Sequence, residues 1–240
     1  MLLVSGILLS VWTASASAAI ALDRTRVVFD GELNSVSLNI SNGNKQLPYL
    51  AQGWIENEAG AKIQSPFTVL PPVQRIEPGK PSQVKIQSLP VVNTLPQDRE
   101  TLYYFNLREI PPKSTKQNTL QIALQSRIKL FYRPKGIAID PYGQPPQDTM
   151  TLTKQGNTYI VNNPTPYYVT FVDAASKKGI EGVKNFEPMM LAPKSSMALT
   201  VSASAVGNNP VLTYVNDYGG RPQLSFQCTG STCVVVPEKN

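Results

Sequence analysis

Ser35-Val36-Ser37-Leu38-Asn39-Ile40 alternates polar and apolar residues without a break. Successive side chains of a strand point to opposite faces, so Val36, Leu38 and Ile40 share one face and predict a half-buried β-strand. Ser41-Asn42-Gly43-Asn44 follows as a turn. Working outward, residues 49–55 read as the next strand, and the turn Glu77-Pro78-Gly79-Lys80 precedes another at 83–88. Leu102-Tyr103-Tyr104-Phe105-Asn106-Leu107 is a further strand with Tyr103, Phe105 and Leu107 on one face, and a long strand is expected over 119–132. The chain's 21 prolines and 15 glycines punctuate these runs. No window sustains a capped amphipathic helical period over three turns. Short strands at this spacing predict an all-β protein built as a β-sandwich.

The second half of the 240 residues repeats the pattern. Residues 157–162 predict a strand, and Asn163-Pro164-Thr165-Pro166-Tyr167 then leads into another at 168–172. The first-half counterpart is Asn44-Lys45-Gln46-Leu47-Pro48-Tyr49; both segments carry Asn and then Pro-Tyr where the next strand starts. Ile76-Glu77-Pro78 and Leu191-Ala192-Pro193 make a second echo in the same order. Either these are chance likenesses between turn-rich segments, or the chain holds two related sandwiches of about 100 residues each. Proline and glycine cluster in Pro134-Lys135-Gly136-Ile137-Ala138-Ile139-Asp140-Pro141, where a boundary is expected. The expected division is 1–18, 19–136 and 137–240.

The first of these segments is a signal. Residues 2–12 are almost wholly apolar, and Ala14-Ser15-Ala16-Ser17-Ala18 offers small residues at the spacing of a peptidase site, so cleavage near Ala18 and export are expected. A membrane anchor is the other reading of such a run, but crossing takes roughly 20 apolar residues and this run is shorter. Nothing later in the chain is apolar enough to insert in a membrane. The net charge of +6 suits acidic partners. Export and the absence of any dense Lys/Arg run argue against nucleic acid.

The sequence contains no histidine. That removes Ser-His-Asp and Cys-His catalysis and most catalytic zinc sites. No nucleophile-elbow, dinucleotide or phosphate-loop pattern occurs either. No catalytic residue, metal or cofactor is therefore expected. The two cysteines, Cys228 and Cys233 in CTGSTC, are too few for a four-ligand zinc site. In an exported chain they predict a disulfide. Its loop is short, so its stabilisation should be about 2 kcal/mol or less.

At IKLFYRP (128–134) the sequence resembles the periplasmic chaperones of the chaperone–usher pathway. The resemblance runs through LDRTRVVFDG (22–31), NKQLPYLAQGWIENE (44–58), PPVQRIEPG (71–79), LPQDRETLYYFNLREIPP (95–112), LQIALQSRIKLFYRP (120–134), NPTPYYVT (163–170) and VNDYGGRPQLSF (215–226). It covers both halves in order. It implies two immunoglobulin-like β-sandwich domains set at an angle with a cleft between them. It also implies a periplasmic chaperone for pilus subunits that lack their last strand: the chaperone lends a strand of its first domain, anchors the subunit's C-terminal carboxylate with two basic residues, and delivers the subunit to an outer-membrane usher. The two basic residues fall on Arg26 and Lys129. A charged trio linking the domains falls on Glu100, Arg133 and Asp217. The short segment 111–118 resembles the short-loop class of the family, which serves rod-like pili.

Leu120, Ile122 and Leu124 fall on one face of a strand. Alternation alone favours the reading that they face their own core; the resemblance favours a strand given to another chain. Each buried anchor would then contribute roughly 1.5–3 kcal/mol. Arg26 and Lys129, read singly, are ordinary solvated cations. As a converging pair they would hold a carboxylate by charge-assisted hydrogen bonds of roughly 1.5–3 kcal/mol each and fix the strand's register. Glu100, Arg133 and Asp217, read singly, are surface charges. An apolar edge also invites pairing with a second copy of the chain, against which Lys113 and Lys116 would act as gatekeepers. A rival of another class is a two-domain adhesive or ligand-binding protein that binds through its loops.

Overall fold

The computed structural model describes residues 19–140 and 142–237. The predicted signal peptide, 1–18, lies outside the described residues, as does Pro141 at the end of the predicted linker.

The first half is made of β1 (Ile20–Leu22), β2 (Arg26–Asp30), β3 (Ser35–Asn42), β4 (Tyr49–Glu56), β5 (Lys62–Ile63), β6 (Phe67–Leu70), β7 (Val73–Ile76), β8 (Pro81–Ser88), β9 (Thr101–Ile110) and β10 (Gln125–Arg133). They form two sheets. One runs β1-β3-β8-β6; the other runs β2-β10-β9-β4-β5, with β7 also paired to β4. The inward rows meet in one core that includes Phe29, Leu38, Ile40, Phe67, Ile86, Phe105, Leu107 and Leu130. Leu38 and Ile40 are buried and Val36 packs against them, as their alternation predicts. Tyr103, Phe105 and Leu107 likewise share the inner face of β9.

The second half consists of β11 (Thr151–Gln155), β12 (Thr158–Asn163), β13 (Val169–Ala175), β14 (Met189–Leu191), β15 (Ser195–Ala198), the short helix α1 (Ala203–Val206), β16 (Val211–Tyr214), β17 (Gln223–Thr229) and β18 (Thr232–Val235). β17 pairs with β16 through residues 223–225 and with β18 through 226–229, so one strand serves both faces of the sandwich. A separate core includes Tyr159, Phe171, Leu191, Leu212 and Phe226. Cys228 and Cys233 face each other across the β17–β18 hairpin and are joined as the predicted disulfide. A 3-10 turn, Lys135–Ile137, carries the chain between the halves.

The internal echo has a structural basis, one turn away from where the sequence suggested. Asn42 ends β3 and Asn163 ends β12, and both are buried. The Asn42 amide donates to the carbonyls of Leu47 at 2.9 Å and Ile76 at 3.1 Å. The Asn163 amide donates to those of Tyr167 at 2.8 Å and Ala192 at 2.9 Å. Each carboxamide oxygen accepts the backbone N–H two residues on, from Asn44 and Thr165 respectively. The equivalent of Asn163 is therefore Asn42, not Asn44. The alternation at 35–40 continues into position 42, so β3 runs to Asn42, where the sequence had suggested a turn.

The expected long strand over 119–132 is shorter than predicted. Regular pairing begins at Gln125. The β9–β10 ladder sets Tyr132 opposite Thr101 and Gln125 opposite Arg108. Continuing that register would place Ile122 opposite Pro111 and Gln121 opposite Pro112. Proline has no N–H to donate, so the ladder cannot continue. Gln121 instead donates its side-chain amide to the Pro112 carbonyl at 2.6 Å.

Candidate functional site

The site is created by the chain's first crossover. β1 lies on the edge of one sheet against β3, and three residues later β2 lies on the edge of the other. Asp23 pins this step. Its N–H donates to the Asn39 carbonyl at 3.1 Å, and its carboxylate accepts from the Asn39 backbone and side chain and from Arg24. β2 then pairs with β10 in parallel, setting Arg26 opposite Lys129 and Asp30 opposite Arg133. Gly31 lets β2 end close against the chain leaving β10: an added Cβ would lie 2.9 Å from the Arg133 carbonyl.

Arg26 and Lys129 both reach the second half. Arg26 donates to the Val215 carbonyl at 3.0 Å, and Lys129 donates to the Thr170 hydroxyl at 2.9 Å. Among the described residues neither forms an ion pair, and the Arg26 Nε is buried without a partner. Burial, reinforced by the neighbouring Arg26 charge, pulls the Lys129 ammonium down to about 8. Burial also pulls Arg26 down, against the opposing charges of Asp217 and Glu100. Two half-buried cations thus stand side by side in register, without an ion-pair partner among the described residues.

Upstream of Lys129 the same edge of β10 is open, because the chain that precedes β2 has crossed to the other sheet. By strand alternation Leu120, Ile122 and Leu124 would continue the row of Ile128 and Leu130, which meet the core further along. The sandwich does not extend beneath them. They are 85%, 66% and 42% exposed, so the reading that they fill their own core does not hold. The result is three exposed apolar side chains on a segment without regular ladder pairing, upstream of two cations.

The charged trio forms. Arg133 donates from Nε and Nη2 to Glu100 at 2.9 and 2.8 Å, and from Nη1 and Nη2 to Asp217 at 2.7 and 3.1 Å. Glu100 is buried, and its second oxygen accepts the Tyr168 N–H at 2.8 Å. Burial pushes the Glu100 carboxyl up, against the pull of Arg133. Burial pulls Arg133 down, but the hydrogen bonds to Asp217 and the two carboxylate charges outweigh it and hold the guanidinium above its ordinary value. Phe131 stacks on Tyr168 with ring centroids 5.6 Å apart.

Several further contacts were not legible as sites in the sequence. Thr170 ends the NPTPYYVT stretch but carries no charge to mark it. Tyr167 donates to the Ile137 carbonyl at 2.7 Å, and Lys194 pairs with Asp98 at 2.8 Å. Glu109 did leave a signal: it occupies the next inward position after Tyr103, Phe105 and Leu107, where an apolar residue is expected.

Residues 19–138 match the family described as "Pili and flagellar-assembly chaperone, PapD N-terminal domain", and residues 145–226 match "Pili assembly chaperone PapD, C-terminal domain". The chain is 54% identical to the chaperone protein PapD of Escherichia coli over 94% of its own length and 93% of that protein's. It is 50% identical to the probable fimbrial chaperone YfcS of Escherichia coli, over 98% and 92% respectively. The solved structure of the periplasmic chaperone SfaE superposes with a TM-score of 0.67 at 31% identity, covering 86% of this chain and 98% of that one.

Proposed function

The chain belongs to the family of PapD-like pilus-assembly chaperones, and from that membership we propose that it captures pilus subunits in the periplasm by lending them residues 120–124 as a strand. The subunit is a sandwich short of its final strand, and Leu120, Ile122 and Leu124 fill the groove it leaves open. This is binding by β-strand addition: backbone hydrogen bonds hold the strand and side chains in pockets set its identity. The subunit's C-terminal carboxylate lies between Arg26 and Lys129. An outer-membrane usher then receives the subunit. In this reading residues 19–136 form the strand-donating domain and 137–240 the second domain, and the Glu100–Arg133–Asp217 link orients the cleft between them.

The observation that carries this reading is where the open edge stops. It runs from Leu120 to the point where β2 joins β10, and there Arg26 and Lys129 stand opposite each other with no described carboxylate between them. A slip of one residue would turn every anchor to the wrong face. An anion held at the closed end of the slot prevents that slip. Each anchor contributes roughly 1.5–3 kcal/mol on burial, part of which offsets the cost of ordering the segment.

The test is periplasmic co-purification with Arg26→Ala and Lys129→Ala. Both variants should be recovered folded and without bound subunit. Recovery of the complex at the unaltered level with both variants would overturn the anchoring role.

A further inference from the structure

Glu109 ends the inward row of β9 and is 5% exposed. A buried carboxylate is costly unless hydrogen bonds replace its water. Among the described residues no cation pairs with it. Its partners are backbone groups from two other segments. One oxygen accepts the Ile20 N–H at 2.9 Å, and the other accepts the Leu124 N–H at 3.4 Å. Its own N–H donates to the Leu124 carbonyl at 3.0 Å.

These partners lie on either side of a seam. Ile20 opens β1, at the edge of one sheet; Leu124 is the last residue before β10 of the other. In a regular antiparallel pair Leu124 and Glu109 would exchange both of their backbone hydrogen bonds. Here one forms, and the Leu124 N–H turns instead to the Glu109 side chain. The ladder is therefore loosened two residues ahead of Pro111, and the base of the open segment is tied through one carboxylate to β1.

We infer that Glu109 is a positioning residue that fixes where the donated strand begins. It does so by drawing the Leu124 N–H away from the regular β9 ladder onto the carboxylate that also holds the Ile20 N–H of β1. The inference rests on the strand-donation reading. It gives Glu109 a role in capture although no subunit reaches its buried carboxylate.

The test compares the intact protein with Glu109→Ala and Glu109→Gln, by amide hydrogen exchange and by subunit capture. In Glu109→Ala the Ile20 and Leu124 amides should exchange about tenfold faster or more, as loss of a hydrogen bond to a charged acceptor implies. Amides of Leu107 and Leu130 within the ladders should be unchanged, and capture should fall by a similar factor. Glu109→Gln keeps one acceptor oxygen and should restore protection at one of the two amides and part of the capture; if the alanine variant does not fold, this variant carries the test. Unchanged exchange at Ile20 and Leu124, or a uniform rise across all amides, would overturn the inference. So would normal capture by Glu109→Ala. Ile122→Asp, run alongside, separates the two ideas: if it loses capture while Glu109→Ala does not, only the Glu109 role is rejected. If both capture normally, strand donation is rejected and the Glu109 role with it.

Discussion

Lys129 stands in register with Arg26 on the adjacent strand, and its ammonium donates to Thr170 of the second half at 2.9 Å. Burial and the Arg26 charge hold it down to about 8. A bound carboxylate favours the charged form and would raise it again, so binding above pH 8 must take up a proton. Subunit affinity should therefore fall as pH rises through about 8, by up to about tenfold per unit. Lys129→Arg stays charged throughout and should lose this dependence. Titration of subunit binding between pH 7 and 9 checks it; a flat profile for the unaltered protein would contradict it. For folding the sign is opposite. Between about 8 and the ordinary 10.5 the unfolded chain holds more protons at this lysine, so its contribution to stability rises with pH in that window.

The trio at Arg133 predicts unequal costs. Arg133→Ala leaves the Glu100 carboxylate buried with only the Tyr168 N–H, and should destabilise by about 3–5 kcal/mol. Asp217 is more exposed, so Asp217→Ala should cost about 1 kcal/mol or less. Denaturant titration compares them, and equal losses would contradict the assignment of Glu100 as the buried partner.

Asn42 and Asn163 predict a matched pair of effects in different halves. Each anchors two carbonyls and a turn N–H, so each change to alanine should cost about 1–3 kcal/mol by leaving buried groups unpaired. Amide exchange should rise around β3 and β7 in the first variant and around β12 and β14 in the second. A loss confined to the same half in both would contradict the equivalence.

Much of this was legible in the sequence, because strand alternation at 35–40 reports burial directly and the row Tyr103, Phe105 and Leu107 is buried as expected. The identity of the two cations and of the trio came only from the resemblance. Nothing local in DRTR or in IKLFYRP says that β2 will run parallel to β10 and set Arg26 opposite Lys129. That pairing depends on the crossover pinned by Asp23 and Asn39. The start of the long strand expected over 119–132 was misplaced for a related reason. Its limit is set by Pro111 and Pro112 on the facing strand, and their effect appears only once the register is known. Asn42 was missed in favour of Asn44, since a buried carboxamide and a half-buried one look alike in sequence.

The disulfide should contribute little. Its loop is short, so replacing Cys228 and Cys233 with serine should lower stability by about 2 kcal/mol or less and leave capture intact. Thermal unfolding and co-purification together check this; loss of capture in a folded variant would contradict it.

The central claim concerns residues 120–124, which have no regular ladder partner in the free protein. Hydrogen exchange of the chaperone alone and bound to a subunit tests it most directly. The account predicts that the amides of residues 120–123 exchange rapidly in the free protein, that the Leu124 amide is held there by Glu109, and that all five become strongly protected in the complex, with protection ending at Lys129. A stable complex in which these amides stay as exposed as before would contradict it.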